Sequence, residues 1–256
     1  MRASLKILGE GGKPPPGYHK IRCHIIFDIK MEDFRRKSRL VAGGHVTEPP
    51  YTITYESVVS RETVLIALTV APLDDFQMNT ADIQNSYIQA PVAEKICTVL
   101  GPEFGPDTGK STVVVRYFYG IKSTGASFLN HLADCINHME YIPCPADPDL
   151  WMKTMVILSD GTEYYAYILL YFDDIVCIHY DAKIIIKKVD KFLRLKPDSI
   201  GDPDMYLVAK VRPMKFYKGV WAWALSPSPY VQESCRNGQK YMNNNIGVRW
   251  KLTSPN

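Results

Sequence analysis

Residues 164–180 read YYAYILLYFDDIVCIHY. Two apolar runs, rich in β-branched and aromatic side chains, flank two adjacent carboxylates, Asp173 and Asp174. Such runs predict strand, tight turn at Asp173-Asp174, and strand. Desolvation and mutual repulsion both oppose two like charges at the tip of a buried hairpin. A divalent cation removes both objections. Hard carboxylate oxygens suit Mg²⁺, which keeps waters and is shared with substrate phosphates. A solvated Asp-Asp turn is the plainer reading, and it leaves Tyr171-Phe172 before the pair and Ile175-Val176 after it unexplained.

Working outward, Asp160-Gly161 between two β-rich runs predicts a hairpin pairing about 150–158 with 163–171. Residues 124–140 predict a helix with Leu129, Leu132, Ile136 and Met139 as its apolar stripe. A second amphipathic helix is expected over 182–195, with strands near 205–211 and 219–225. Strand, helix, two hairpin strands, helix and strand is the β-α-β-β-α-β arrangement. Upstream, 21–29 (IRCHIIFDI) predicts a strand, and 39–42 a second after a turn. Residues 57–71 predict a helix with Ser60 as N-cap and Thr63 at N3. Strands are expected over 75–83, with Asp82 near its end, and over 112–118.

Composition bounds the rest. The chain has 256 residues, 46% of them hydrophobic and 22% charged, which excludes disorder throughout and suffices for a sizeable core. A net charge of +3 permits a nucleic-acid partner without demanding one. Six cysteines with no CxxC pair predict reduced, mostly buried thiols. The start has no apolar signal-peptide core, and no run reaches the ~18 apolar residues of a membrane span, so a soluble intracellular chain is expected. The Gly/Pro-rich stretch 9–17 holds no regular structure.

Three motifs carry less than they suggest. Gly105–Ser111 (GPDTGKS) has three residues between its glycines, where a phosphate loop needs four, and it leads into a strand. Asp107-Thr108-Gly109 has no strand before it and reads as a turn. His131, Cys135 and His138 share a helical face but lack a fourth ligand for zinc.

Asp82, ending an earlier strand, is the carboxylate that completes a set. Three carboxylates from two strands can hold two metals about 3.5–4 Å apart, the arrangement of phosphoryl transfer. At this point YFDD (171–174) resembles the YxDD motif of reverse transcriptases. The wider pattern is similar to the polymerase region of copia-type retrotransposon Pol polyproteins. Residues 37–42 (KSRLVA) resemble the family's KARLVA, and 77–90 (QMNTADIQNSYIQA) its QMDVKTAFLNG. Residues 118–128 (FYGIKSTGASF) resemble LYGLKQAPRAW, 147–151 (DPDLW) resemble DPxLF, and 205–208 (MYLV) match YFLG. The resemblance covers about 20–235, in order.

The resemblance implies an α+β, right-hand polymerase fold: fingers, a ferredoxin-like palm whose antiparallel sheet packs on helices, and an incomplete thumb. It implies a flexible segment over 1–20, fingers over 21–74, palm over 75–225 with a finger insertion around 97–122, and the start of the thumb over 226–256. It makes Asp82, Asp173 and Asp174 the catalytic metal ligands. Counting from Gln77-Met78 puts Asn79 where the family carries Asp; counting five back from the aromatic gate residue, Tyr87, favours Asp82. Tyr87 is then the gate against a 2′-OH, and Lys37 and Arg39, two apart on a strand, reach the triphosphate. Ser123 stands where the family has a nucleotide-positioning Gln, and Phe172 lies beside the nucleotide. Arg35, Arg36 and Lys122 are implied nucleic-acid contacts.

The implied function is RNA-directed DNA synthesis with Mg²⁺, or Mn²⁺ as the alternative ion. The implied partners are an RNA template, a DNA or tRNA primer, dNTPs and other parts of the Pol polyprotein, with no membrane. Location is expected in the cytoplasm, in virus-like particles, or in the nucleus. The alternative is an inactive or domesticated fragment that binds nucleic acid or protein without polymerising. An unrelated Mg²⁺ phosphotransferase is the third reading.

Overall fold

The computed structural model describes residues 4–9, 11–30, 35–44, 57–157, 159–206, 209–215, 219 and 221–245. In chain order the elements are β1 (Leu5–Ile7), β2 (His19–Lys20), β3 (Cys23–Lys30), β4 (Arg35–Ala42), α1 (Arg61–Leu73), β5 (Gln77–Asp82), α2 (Ser86–Gln89), β6 (Ile96–Val99) and β7 (Ser111–Val114). There follow α3 (Thr124–His138), β8 (Ile142–Cys144), β9 (Asp147–Val156), β10 (Glu163–Tyr171), β11 (Asp174–His179), α4 (Ala182–Val189), β12 (Met205–Tyr206), β13 (Ala209–Lys215), β14 (Trp221–Ser226) and α5 (Ser228–Asn245).

The continuous apolar runs of β10 and β11 arise because their sheet is covered on both faces. It has the order β5-β11-β10-β9-β8, every neighbour antiparallel. Side chains alternate along a strand, so a doubly covered strand needs an apolar residue at each position. Ile168, Leu170, Ile175 and Cys177 pack with Leu132 and Ile136 of α3 and Ile185 and Ile186 of α4. Leu169, Val176 and Ile178 face the other way, onto Val64 and Leu68 of α1 and onto Val211.

Helix α1 begins as its capping residues dictate: Ser60 Oγ accepts a hydrogen bond from Thr63 N at 3.1 Å. Asp147, the first residue of β9, fixes that end to the sheet. Its Oδ2 accepts from Ser60 N at 2.9 Å and from Thr63 Oγ1 at 2.6 Å. The helix runs through Pro72 to Leu73, two residues beyond the expected end.

Several expectations shift. Residues 1–20, expected to be flexible, contribute two strands: β1 pairs with β7 and β2 runs parallel to β6, in a sheet of order β1-β7-β6-β2. Burial of Ser4 and Leu5 accounts for that order. β7 stops at Val114, because Tyr117 N turns to donate to Ala90 O. α4 ends at Val189, after which Arg194 N bonds Gln89 Oε1 and Lys196 N bonds Asp82 O. The chain thus leaves the helix to run along the free edge of β5, touching it through two isolated bridges, Ile83 with Leu195 and Thr80 with Gly201. The strand expected near 205–211 as the last of the β-α-β-β-α-β order does not join this sheet. β12 and β13 instead join β14 in a separate sheet, and β14 lies against α1. All six cysteines are free; Cys97, Cys135 and Cys177 are buried and the other three half-buried.

Candidate active site

The hairpin turn that carries the carboxylates is centred one residue earlier than expected. Tyr171 pairs with Asp174, so the turn residues are Phe172 and Asp173, and Asp174 opens β11. Phe172 takes φ 55°, a left-handed conformation that costs a non-glycine residue roughly 1 kcal/mol or more.

Asp174 lies directly across the ladder from Asp82. Directly opposed residues project to the same face, so the two carboxylates are neighbours. Asp173 O accepts from Ile83 N at 2.7 Å, which ties the hairpin tip to the end of β5. Asn79 is opposite Cys177, three residues back and on the other face of β5, where its Nδ2 donates to Asp202 at 3.3 Å. The structure therefore groups Asp82, and not Asn79, with the hairpin pair.

The three groups perturb one another. Burial, then the charges of Asp173 and Asp82, push the Asp174 carboxyl up to about 6. Burial, then Asp82, raises Asp173 as well, while the positive charges of Lys196 and Lys37 pull it back. Lys196 forms an ion pair and hydrogen bond with Asp82 Oδ2, whereas Asp82 Oδ1 is buried with no hydrogen-bond partner. Among the described residues no three His, Cys, Asp or Glu side chains are gathered into a metal-binding group. What the site does offer a hard divalent cation is the opposed Asp82 and Asp174 carboxylates, the orphaned Asp82 Oδ1 and a repulsion that a cation would relieve.

Beside Asp173 is a cavity of about 150 Å³, lined by Ser86, Tyr87, Tyr119, Phe128, Phe172 and Asp173. Tyr87 enters from α2, which follows a turn with Asn85 at φ 51°. Its ring meets Tyr119 edge-on at 5.0 Å and Phe128 at 6.0 Å. Phe172 stacks edge-on against Tyr171 at 5.0 Å and is partly exposed.

The β3–β4 ribbon supplies the cations. Opposed pairs share a face, so Lys37 (with Asp28) and Arg39 (with Ile26) lie on one side, and Arg36 (with Ile29) on the other. The Arg39 guanidinium stands 5.3 Å from the Tyr119 ring centroid and 3.6 Å from Asp28. Arg36 is thereby separated from the cavity side, and the side chain of Arg35 lies outside the described residues.

One expected nucleotide contact points away from the cavity. Ser123 is buried, with its Oγ bonded to the Glu94 carboxylate and 3.3 Å from Tyr117 Oη, so it faces the interior and not the cavity. Lys122, expected as a nucleic-acid contact, is half-buried just ahead of α3. Leu207 and Val208 of the MYLV stretch lie outside the described residues. Tyr119, Phe128 and Lys196 were missed. Tyr119 and Phe128 sit inside the FYGIKSTGASF block as aromatic positions that no spacing distinguishes from core. Lys196 is 114 residues from Asp82, beyond any local pattern.

Comparison with known proteins identifies the family. A sequence profile of the reverse transcriptase (RNA-dependent DNA polymerase) family matches residues 13–212. The chain is 25% identical over 186 residues to the retrovirus-related Pol polyprotein from transposon RE2 of Arabidopsis thaliana, covering 69% of this chain. It is 24% identical over 188 residues to that from transposon RE1 of the same plant, again 69% of this chain. Either match spans 12% of the relative's length. With the hairpin carboxylates, the opposed Asp82 and a profile match over most of the sequence, the chain belongs to the reverse transcriptase family, in the copia-type retrotransposon group that its motifs resemble.

Proposed function

We propose that the domain is an RNA-directed DNA polymerase that transfers nucleotides from dNTPs to a primer 3′-OH. The observation that carries the reading is the placement of Asp174 across the ladder from Asp82, with the adjoining Asp173 lining an aromatic cavity whose Tyr119 ring carries the Arg39 guanidinium. In this reading the five-stranded sheet is the palm, the β3–β4 ribbon belongs to the fingers, and α5 begins the thumb.

Asp82, Asp173 and Asp174 would hold Mg²⁺ or Mn²⁺. When bound, the ion supplies Lewis-acid activation of the attacking oxygen and charge neutralisation at the leaving pyrophosphate. Lys37 and Arg39 bind the triphosphate, Arg through its bidentate fork and Lys as a point charge. Tyr87 presents its ring where a ribose 2′-OH would fall and excludes it by shape. Phe172 and Phe128 close the cavity around the sugar and base. The RNA template, a DNA or tRNA primer and other parts of the polyprotein are the proposed partners; among the described residues no helix is long and apolar enough to cross a membrane.

A second reading, a domain that binds primer–template without polymerising, is favoured by Lys196 on Asp82 and by the inward turn of Ser123. Primer extension on an RNA template with dNTPs and Mg²⁺, beside Asp173→Asn, separates the two. Extension by the parent and none by the variant supports polymerisation. Tight, strongly salt-dependent binding with no extension by either supports the second reading.

A further inference from the structure

The Tyr119 ring lines the cavity and contacts both Tyr87 and Arg39. One edge contact reaches Tyr87, with ring planes inclined at 71°. The face on the ribbon side carries the Arg39 guanidinium. Tyr119 is itself held from behind. Its carbonyl accepts a hydrogen bond from Ala42 N at 2.7 Å, at the end of β4. The next residue, Gly120, takes φ 92°, and a Cβ on it would overlap Ala42 O. A Cβ on Gly44 would in turn overlap the Gly120 carbonyl. The backbone at Tyr119-Gly120 is therefore packed against the backbone of residues 42–44, which fixes the point from which the partly exposed ring projects.

Arg39 is held in an unusual way for a partly buried cation. Its Nε is buried with no hydrogen-bond partner, and its acid neighbour, Asp28, is 3.6 Å off and largely exposed. A ring face attracts a guanidinium without cancelling its charge. Arg39 is thus positioned by the ring, and its acid neighbour at the fork, 3.6 Å off and largely exposed, can give way to an anion.

We infer that Tyr119 is a positioning residue for the incoming nucleotide: one ring fixes both the phosphate-binding Arg39 and the sugar-excluding Tyr87, and so couples triphosphate affinity to sugar selectivity. The inference rests on the polymerase reading above. It requires an aromatic ring at 119 and not its hydroxyl.

The test is single-nucleotide incorporation by the whole chain on an RNA template with a DNA primer, comparing dNTP with rNTP for the parent, Tyr119→Phe and Tyr119→Leu. Primer–template affinity is read by fluorescence anisotropy and folding by thermal melting. Tyr119→Phe is expected to match the parent. Tyr119→Leu is expected to raise KM for dNTP about tenfold, to change kcat less than about threefold and to lower the dNTP-over-rNTP preference about tenfold, with primer–template affinity unchanged. If Tyr119→Leu melts early, Tyr119→Met carries the same comparison. Parental KM and selectivity in the variant overturn the inference alone, as does a fall in kcat with KM and selectivity unmoved. No incorporation by the parent overturns the polymerase reading and this inference with it.

Discussion

Asp174 and Asp82 face each other across the β11–β5 ladder, and Lys196 is paired to the outer oxygen of Asp82. Opposed like charges destabilise a ladder. They persist here because one lysine offsets part of the repulsion, which leaves the remainder to be relieved by whatever binds.

Replacing Asp173 with Asn removes a negative oxygen beside the cavity and keeps the turn geometry. Primer extension should fall by at least about 10³-fold. Circular dichroism and the melting temperature should stay at parental values or rise. Extension at the parental rate would falsify the catalytic assignment.

Asp174→Asn should make the chain more stable in metal-free buffer at neutral pH while abolishing extension. The Asp174 carboxyl titrates near 6 because burial and two like charges oppose its ionised form. Neutralising it should add on the order of 1 kcal/mol after allowance for solvent screening, a rise of roughly 2–4 °C. A chain that melts lower than the parent would mean that Asp174 is held by contacts other than the repulsive ones described.

Lys196→Met should destabilise the fold by about 1 kcal/mol, since it strands Asp82 without its partner, and Asp82→Asn should reverse most of that loss. The double-mutant cycle in urea measures the coupling. Additive effects would show that the pair contributes nothing net to stability.

Asp147 links acid sensitivity to the start of α1. Burial raises its pKa, but hydrogen bonds from Thr63, from Ser60 and from Asp149 N outweigh that and hold the carboxyl below its ordinary value. A depressed folded pKa gives stability that is present above the unfolded value, about 3.9, and is lost as pH falls through the folded value. The parent should therefore be more stable than Asp147→Asn at pH 7 by about 1–2 kcal/mol, and the two unfolding curves should converge below about pH 4. A gap that stays constant down to pH 2 would place the effect in shape and not in charge.

How much of this was readable beforehand differs by element. The Ser60 cap, the β9–β10 and β10–β11 hairpins and α3 were legible because each is encoded by neighbours in sequence: a cap three residues from its donor, apolar runs around a turn, a helical stripe. The two-strand N-terminal contribution was not, because Leu5 and Val114 meet only in the folded chain. Nor was the end of α4, whose amphipathic pattern continues to 195 while Gln89, Asp82 and Gly201 draw the chain to the edge of β5.

The site divides in the same way. The order of motifs by itself determined the family, and it marked Asp173-Asp174 and the Lys37–Arg39 stretch as candidates, while one count along the chain pointed to Asp82 and another to Asn79. Tertiary structure decided what the spacing left open. It chose Asp82 over Asn79, since only one of them is opposite Asp174. It turned Ser123 inward, and it placed Arg36 behind the ribbon. It also brought Tyr119 to Arg39 and Lys196 to Asp82, contacts across 80 and 114 residues of chain that no periodicity encodes. A strand's pattern states which way a side chain faces, and only packing states what it meets.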